Sequence, residues 1–222
     1  MMKARTSTRR PAARIIGFVV GCLGLVAAEQ IPAATLSLLP STQTASPGDG
    51  VSVQLFVEGL GDLAPDSVGD FDIDIGYDPT ALTFGGYILD DFLGDIGLGE
   101  AIDFSLGDLG GGLINLAAVS FLEPDATNCV LCLPPYLDDI QPGSFPLGTL
   151  DFVVGGLAPG TSTTISIATV NALGDGFGVA LPVDQTADAV VRRPAGQIPA
   201  PGVLVLVLSG LGLLRLVRPR SA

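Results

Sequence analysis

Carboxylates dominate the chemistry available to this chain. Asp72, Asp74 and Asp78 alternate with Phe71, Ile73, Ile75 and Tyr77. On a strand, that alternation sends the aspartates to one face and the apolar residues to the other. Aspartates two positions apart on one strand face lie only about 7 Å apart, so their repulsion invites a counterion. Ca²⁺ is the favoured ion, because nearly all the ligands on offer are oxygens. Asp72, Asp74 and Asp78 are therefore a candidate calcium set, beside the plainer reading of a solvated outer face. Asp62, Asp66 and Asp70 lie just before them, and Asp90, Asp91 and Asp95 form a second patch. Neither patch has the spacing of an EF-hand loop. Paired carboxylates also serve glycoside hydrolysis, but acidic residues are too abundant here for a pair to single itself out.

The other chemistry-bearing group is Cys129-Val130-Leu131-Cys132. A structural zinc site needs four thiolate or imidazole ligands, and the chain has three cysteines and no histidine. Outside the cytoplasm, a Cys129–Cys132 disulfide closing a small loop is the expectation. So short a loop contributes modestly, about 1–2 kcal/mol. The missing histidines also exclude Ser-His-Asp and Cys-His catalysis and His-ligated metals. With no Trp, and only Tyr77, Tyr87 and Tyr136, little is left for a sugar-stacking platform. No cofactor is expected, calcium aside, and no enzymatic activity.

The charges are segregated. Of 222 residues, 23 are acidic and 10 basic, for a net charge of −13. Every Lys and Arg lies before position 15 or after position 191, and every Asp and Glu lies between Glu29 and Asp188. The body is thus purely anionic. It repels nucleic acid phosphates and anionic headgroups, so a nucleic-acid partner is excluded.

The two ends read as addresses. Residues 1–14 are basic, 15–28 are an apolar run (IIGFVVGCLGLVAA), and small residues follow. This is the pattern of a secretory signal peptide, placed with its leader at 1–34. At the other end, Pro199-Ala200-Pro201 stops any helix arriving from the body. An apolar run then begins at Gly202, and Arg215, Arg218 and Arg220 close the chain. About 16 residues of helix there would reach about 24 Å, marginal for a bilayer. The arginines would remain cytoplasmic and hold the acidic body outside.

This tail, 192–222 with its linker, resembles the PEP-CTERM sorting signal, with Ala200 where that family usually has Glu. The resemblance implies handling by an exosortase-type membrane enzyme in a Gram-negative bacterium that secretes exopolysaccharide. Pro199, Ala200, Pro201, Arg215, Arg218 and Arg220 would form the sorting motif. The plainer alternative is a C-terminal membrane anchor.

Residues 35–191 show period-2 alternation and no sustained helical stripe. Val51, Val53, Leu55 and Val57 alternate with Ser52, Gln54, Phe56 and Glu58, and Leu150, Phe152 and Val154 with Asp151 and Val153. Ile102, Phe104 and Leu106 repeat the pattern, and Thr163-Thr164-Ile165-Ser166-Ile167 is mostly β-branched. Gly, Pro, Asp and Asn bound the runs. One apolar face per strand predicts antiparallel sheets packed as a two-sheet sandwich of eight to ten strands. The stretch 128–146 reads as irregular.

The fold class is therefore all-β, an antiparallel sandwich flanked by an N-terminal signal helix and a C-terminal transmembrane helix. The body resembles the cohesin-like jelly roll. That rests on Ser46-Pro47-Gly48-Asp49 before an alternating strand, on Tyr77-Asp78-Pro79 with Leu82, and on FPLGTLDF at 145–152. The resemblance implies a binding or scaffolding module. The expected role is an exported surface or matrix protein that binds a protein or polysaccharide. The alternatives are a calcium-dependent adhesin or carbohydrate-binding module, and a secreted hydrolase using Asp/Glu pairs.

Overall fold

The computed structural model describes residues 33–60, 67–127 and 133–196. Residues 1–32 of the signal segment and leader, the sorting motif (Pro199, Ala200, Pro201, Arg215, Arg218, Arg220), the Cys129–Cys132 pair, Asp62 and Asp66 lie outside the described residues. Among the described residues no helix is long and apolar enough to cross a membrane.

Twelve strands occur among the described residues: β1 (Ala34–Leu39), β2 (Thr42–Thr44), β3 (Gly50–Glu58), β4 (Val68–Gly76), β5 (Leu82–Leu89), β6 (Ala101–Asp103), β7 (Gly107–Gly110), β8 (Leu113–Ser120), β9 (Ser144–Val154), β10 (Ser162–Asp175), β11 (Val183–Ala187) and β12 (Ala189–Arg192). One short helix, α1 (Leu137–Ile140), interrupts the stretch expected to be irregular. One sheet has the order β11-β1-β3-β9-β5, and the other β2-β12-β10-β4-β8-β6, with β7 also on β8.

The alternation seen in the sequence is the alternation of burial. Val51, Val53, Leu55 and Val57 of β3 are buried while Ser52, Gln54 and Glu58 are exposed. Phe71, Ile73 and Ile75 of β4 are buried, with Asp72 and Asp74 half-buried on the other face. Leu36, Leu38, Leu116, Phe145 and Phe152 complete the space between the sheets. Burying each such side chain contributes about 1.5–3 kcal/mol. Phe152 stands at the centre, 5.4 Å from the Tyr77 ring and edge-on to Phe84 at 5.7 Å.

The twelve strands among the described residues exceed the eight to ten expected, and three further features depart from the expected pattern. First, the sandwich is not wholly antiparallel: β1 runs parallel to β11 and β2 parallel to β12. Both the first and the last stretch of the described body begin in one sheet and continue in the other, so they run side by side in one direction. The first changes sheets at Pro40-Ser41, where proline has no N–H to give a ladder. Second, β9 carries a bulge near Gly148, opposite the register shift between Leu55 and Phe56. It switches the buried set from Phe145 and Leu147 to Leu150, Phe152 and Val154. A side chain at 148 would sit 3.0 Å from the Ile88 carbonyl oxygen, which fits glycine there. Third, β10 continues to Asp175, well past Ile167. Its inward residues pair as Ile167 with Ile75, Val170 with Ile73 and Leu173 with Phe71. Bulges between them stretch the spacing from two to three.

The run around Ile102 is also two strands instead of one. β6 and β7 lie in turn along the same edge of β8, with Phe104, Ser105 and Leu106 between them.

Candidate binding face

The outer face of the second sheet is organised by β4. Its neighbours set the register: Asp74 lies beside Asn115 of β8 and Thr169 of β10, and Asp72 beside Ala117 and Ala172. Asn115 is buried at 6 % exposure, and its amide Nδ2 donates to Asp72 Oδ1 at 2.6 Å and to Asp74 Oδ1 at 2.9 Å. Asn171 Nδ2 donates to the same Asp72 oxygen at 3.2 Å. The Asn115 oxygen accepts from the Leu106 N–H at 3.2 Å, which fixes its amide and the kink between β6 and β7. Two carboxylates that would repel are thereby joined through one neutral donor group.

Small residues keep this face level: Gly76, Ala117, Ala172 and Gly174 lie beside the aspartates. At its β6–β7 border stand exposed apolar side chains, Ile102, Phe104 and Leu106, with Phe104 56 % and Leu106 72 % accessible.

The three aspartates singled out in the sequence are not gathered at one point. Asp72 and Asp74 share the Asn115 amide. Asp78 lies beyond the end of β4, in the turn before β5, and its Oδ1 accepts from the Thr80 N–H at 2.9 Å and hydroxyl at 2.7 Å. Those bonds hold the Asp78 carboxyl below its ordinary value. Among the described residues no group of three or more His, Cys, Asp or Glu could hold a metal ion.

Many other carboxylates serve turns. Asp95 Oδ1 accepts from Gly97 N and Leu98 N, Asp108 from Gly110 N, Asp125 from Thr127 N, and Asp175 from Phe177 N and Val179 N. An aspartate bonding the backbone two residues on stabilises a turn at its own position. Much of the acidic character of the body is thus the material of its loops. Nothing local in the sequence marks Asn115, which sits inside an apolar run with its partners Asp72 and Asp74 on a strand far earlier in the chain.

The fold defined by these sheets is a cohesin-like β-sandwich. No known protein family matches the chain, and no curated protein matches it. Solved structures do match. The sixth cohesin of scaffoldin B from Acetivibrio cellulolyticus, solved in complex with Cel5 dockerin, is 17% identical, with a TM-score of 0.54 over 72% of this chain and 99% of that one. The solution structure of CaCohA2 from Clostridium acetobutylicum is 20% identical, with a TM-score of 0.53 over 76% and 94%. The cohesin of a type I cohesin–dockerin complex from Clostridium thermocellum is 12% identical, with a TM-score of 0.53 over 72% and 99%. At such identities the likeness is one of fold.

Proposed function

We propose that this chain is an exported, non-catalytic binding module that holds a partner protein on the outer face of the β10-β4-β8-β6 sheet. The observation that carries the reading is the Asp72–Asn115–Asp74 arrangement, a fixed polar centre on a level face, bordered by exposed Ile102, Phe104 and Leu106. Exposed apolar side chains beside prearranged polar groups suit a protein interface. Cohesins of like fold have been solved with dockerin partners, which lends support to a protein ligand.

The ends of the chain support the rest of the reading. The basic start and the apolar run at 15–28 support export. Pro199, Ala200 and Pro201, the apolar run after them, and Arg215, Arg218 and Arg220 support a membrane-held tail processed by an exosortase-type enzyme. The acidic body would then work at the cell surface or in an exopolysaccharide matrix.

A photo-crosslinking residue placed at Thr169 in the full chain tests the binding face, with Ser52 on the outer face of the other sheet as control. Thr169 should label one discrete polypeptide in the producing cell, and excess unmodified protein should suppress the label. Equal labelling from both faces, or labelling of glycan alone, would overturn the reading. Mass spectrometry of the mature polypeptide tests the ends. Recovery of an uncut chain from the cytoplasm would remove export.

A further inference from the structure

β5 ends its sheet, and beyond β9 it has no strand partner among the described residues. Natural sheets blunt such edges with lysine, proline or charge. The strand Leu82–Leu89 (LTFGGYIL) has none of these. It has Gly85-Gly86 instead, where a second backbone can approach closely. Gly86 takes φ +146, and a side chain there would meet nothing within 4 Å. The ladder to β9 is irregular between Phe84 and Gly86 and regular from Gly86 to Leu89.

A groove of about 640 Å³ runs beside this edge. Its walls include apolar Ile88 and Ile96 and the carboxylates Asp91 and Asp103. Ile88 is 69 % exposed. Among the described residues the only cations are Arg192 and Arg193. Arg192 ends β12, which lies in the other sheet with β10, β4 and β8 between it and β6. Arg193 Nη1 donates to the Leu157 carbonyl oxygen at 2.6 Å. Neither arginine lines the groove, so among the described residues no cation complements Asp91 and Asp103, and a cationic ligand would. An open row of backbone donors and acceptors calls for a polypeptide backbone, and the flanking carboxylates call for basic side chains on it.

We propose that the free edge of β5 takes up an extended, cationic segment of a partner protein as an added strand, its basic side chains laid against Asp91 and Asp103. The added ladder spans Gly86 to Leu89, and alternate side chains of the guest meet Ile88 and Ile96. This surface is separate from the Asp72–Asn115–Asp74 face, so either site can fail without the other.

The probe is a capped seven-residue peptide of alternating lysine and valine, added to the full chain. Two companions carry N-methyl groups on the lysine amides or on the valine amides. In a strand, alternate N–H groups point to opposite edges, so only one of the two methylated peptides loses the ladder. The parent peptide should slow hydrogen exchange at the alternate amides of Gly86–Leu89 that face away from β9. One methylated form should match it and the other should fail. Asp91→Lys should weaken binding about threefold or more, within the range of an exposed charge pair. Asp184→Lys, the same charge change on β11 at the far edge of that sheet, should leave binding unchanged. The proposal is overturned if both methylated peptides bind like the parent, if the two lysine variants weaken binding equally, or if Gly86–Leu89 show no slowing. Slowing confined to β4 and β8 would also overturn it, and would move the ligand to the other face.

Discussion

The Tyr87 hydroxyl donates a 2.9 Å hydrogen bond to Asp103 Oδ2, fastening the edge strand of one sheet to β6 at the edge of the other. Asp103 Oδ1 accepts from the Ser105 N–H at 2.8 Å, so this aspartate also holds the turn leading to β7. Tyr87→Phe keeps the ring and removes the tie. It should lower unfolding free energy by about 0.5–1 kcal/mol, the scale of a partly exposed neutral donor to a carboxylate. Urea midpoints measure this. An unchanged midpoint would mean that the two edges are held together by packing alone.

Asn115 is the polar centre of the proposed face, and its loss has two costs. Asn115→Ala leaves Asp72 and Asp74 facing each other without their shared donor, and should destabilise by about 1–3 kcal/mol. Asn115→Asp sets a third carboxylate beside the two and should cost more than the alanine change. Added salt should recover part of either loss by screening. Comparing the two variants in chemical unfolding decides the matter, and an aspartate variant as stable as wild type would contradict it.

Gln141 pins the loop after α1. Its Oε1 accepts from Val68 N at 2.7 Å, and its Nε2 donates to Val68 O at 2.8 Å and Phe92 O at 2.7 Å. Gln141→Leu keeps the bulk and orphans all three backbone groups. Each buried orphan costs about 1–3 kcal/mol, so a total loss of about 2–4 kcal/mol is expected, with partial rescue by entering water. Hydrogen exchange should quicken first at Val68. Loss spread evenly over the whole fold would contradict a local pin.

Burial, and then the charge of Asp175, raise the Asp70 carboxyl above its ordinary value of 3.8. Asp90 is raised by burial and by Asp91, and Asp138 by burial and by Asp139 and Asp125. The folded state therefore holds these protons more tightly than the unfolded chain does. The stability they contribute is fully present below 3.8 and is lost as pH rises through the raised folded values. Asp78 works the other way, its contribution fading as pH falls through its lowered value. Asp70→Asn should raise the melting temperature at pH 7, and the gain should shrink toward pH 4. A gain that is constant across that range would mean that titration of Asp70 is not its source.

The regular strands were legible because their side chains alternate without interruption, as in β3 and β4. The outward placement of Asp72 and Asp74 followed from the same rule. Legibility stopped at bulges. Ile167, Val170 and Leu173 line the core at intervals of three, and that spacing hid more than half of β10. Gly148 shifted the phase of β9 in the middle of a run that looked continuous. Parallel pairing left no trace, because it is confined to two short marginal pairings, β1 with β11 and β2 with β12, in sheets that are otherwise antiparallel. The site was half visible. The two aspartates could be placed on one face, but their partner Asn115 lies 41 residues beyond Asp74, and only the register of β4 on β8 brings it there.

The side-by-side travel of β1 with β11 and β2 with β12 decides how the body would carry tension. Ala34 lies next to Val183 at one end of the sandwich, and Thr44 next to Arg192 at the other. A pull on Ala34 and Arg192 in opposite directions slides these strands lengthwise, and all their cross-strand bonds resist together. A pull on Thr35 and Glu58, which face each other across β1 and β3, opens that ladder one rung at a time. Single-molecule stretching should find the first geometry several times stronger, and equal rupture forces would show that the parallel pairs bear no load.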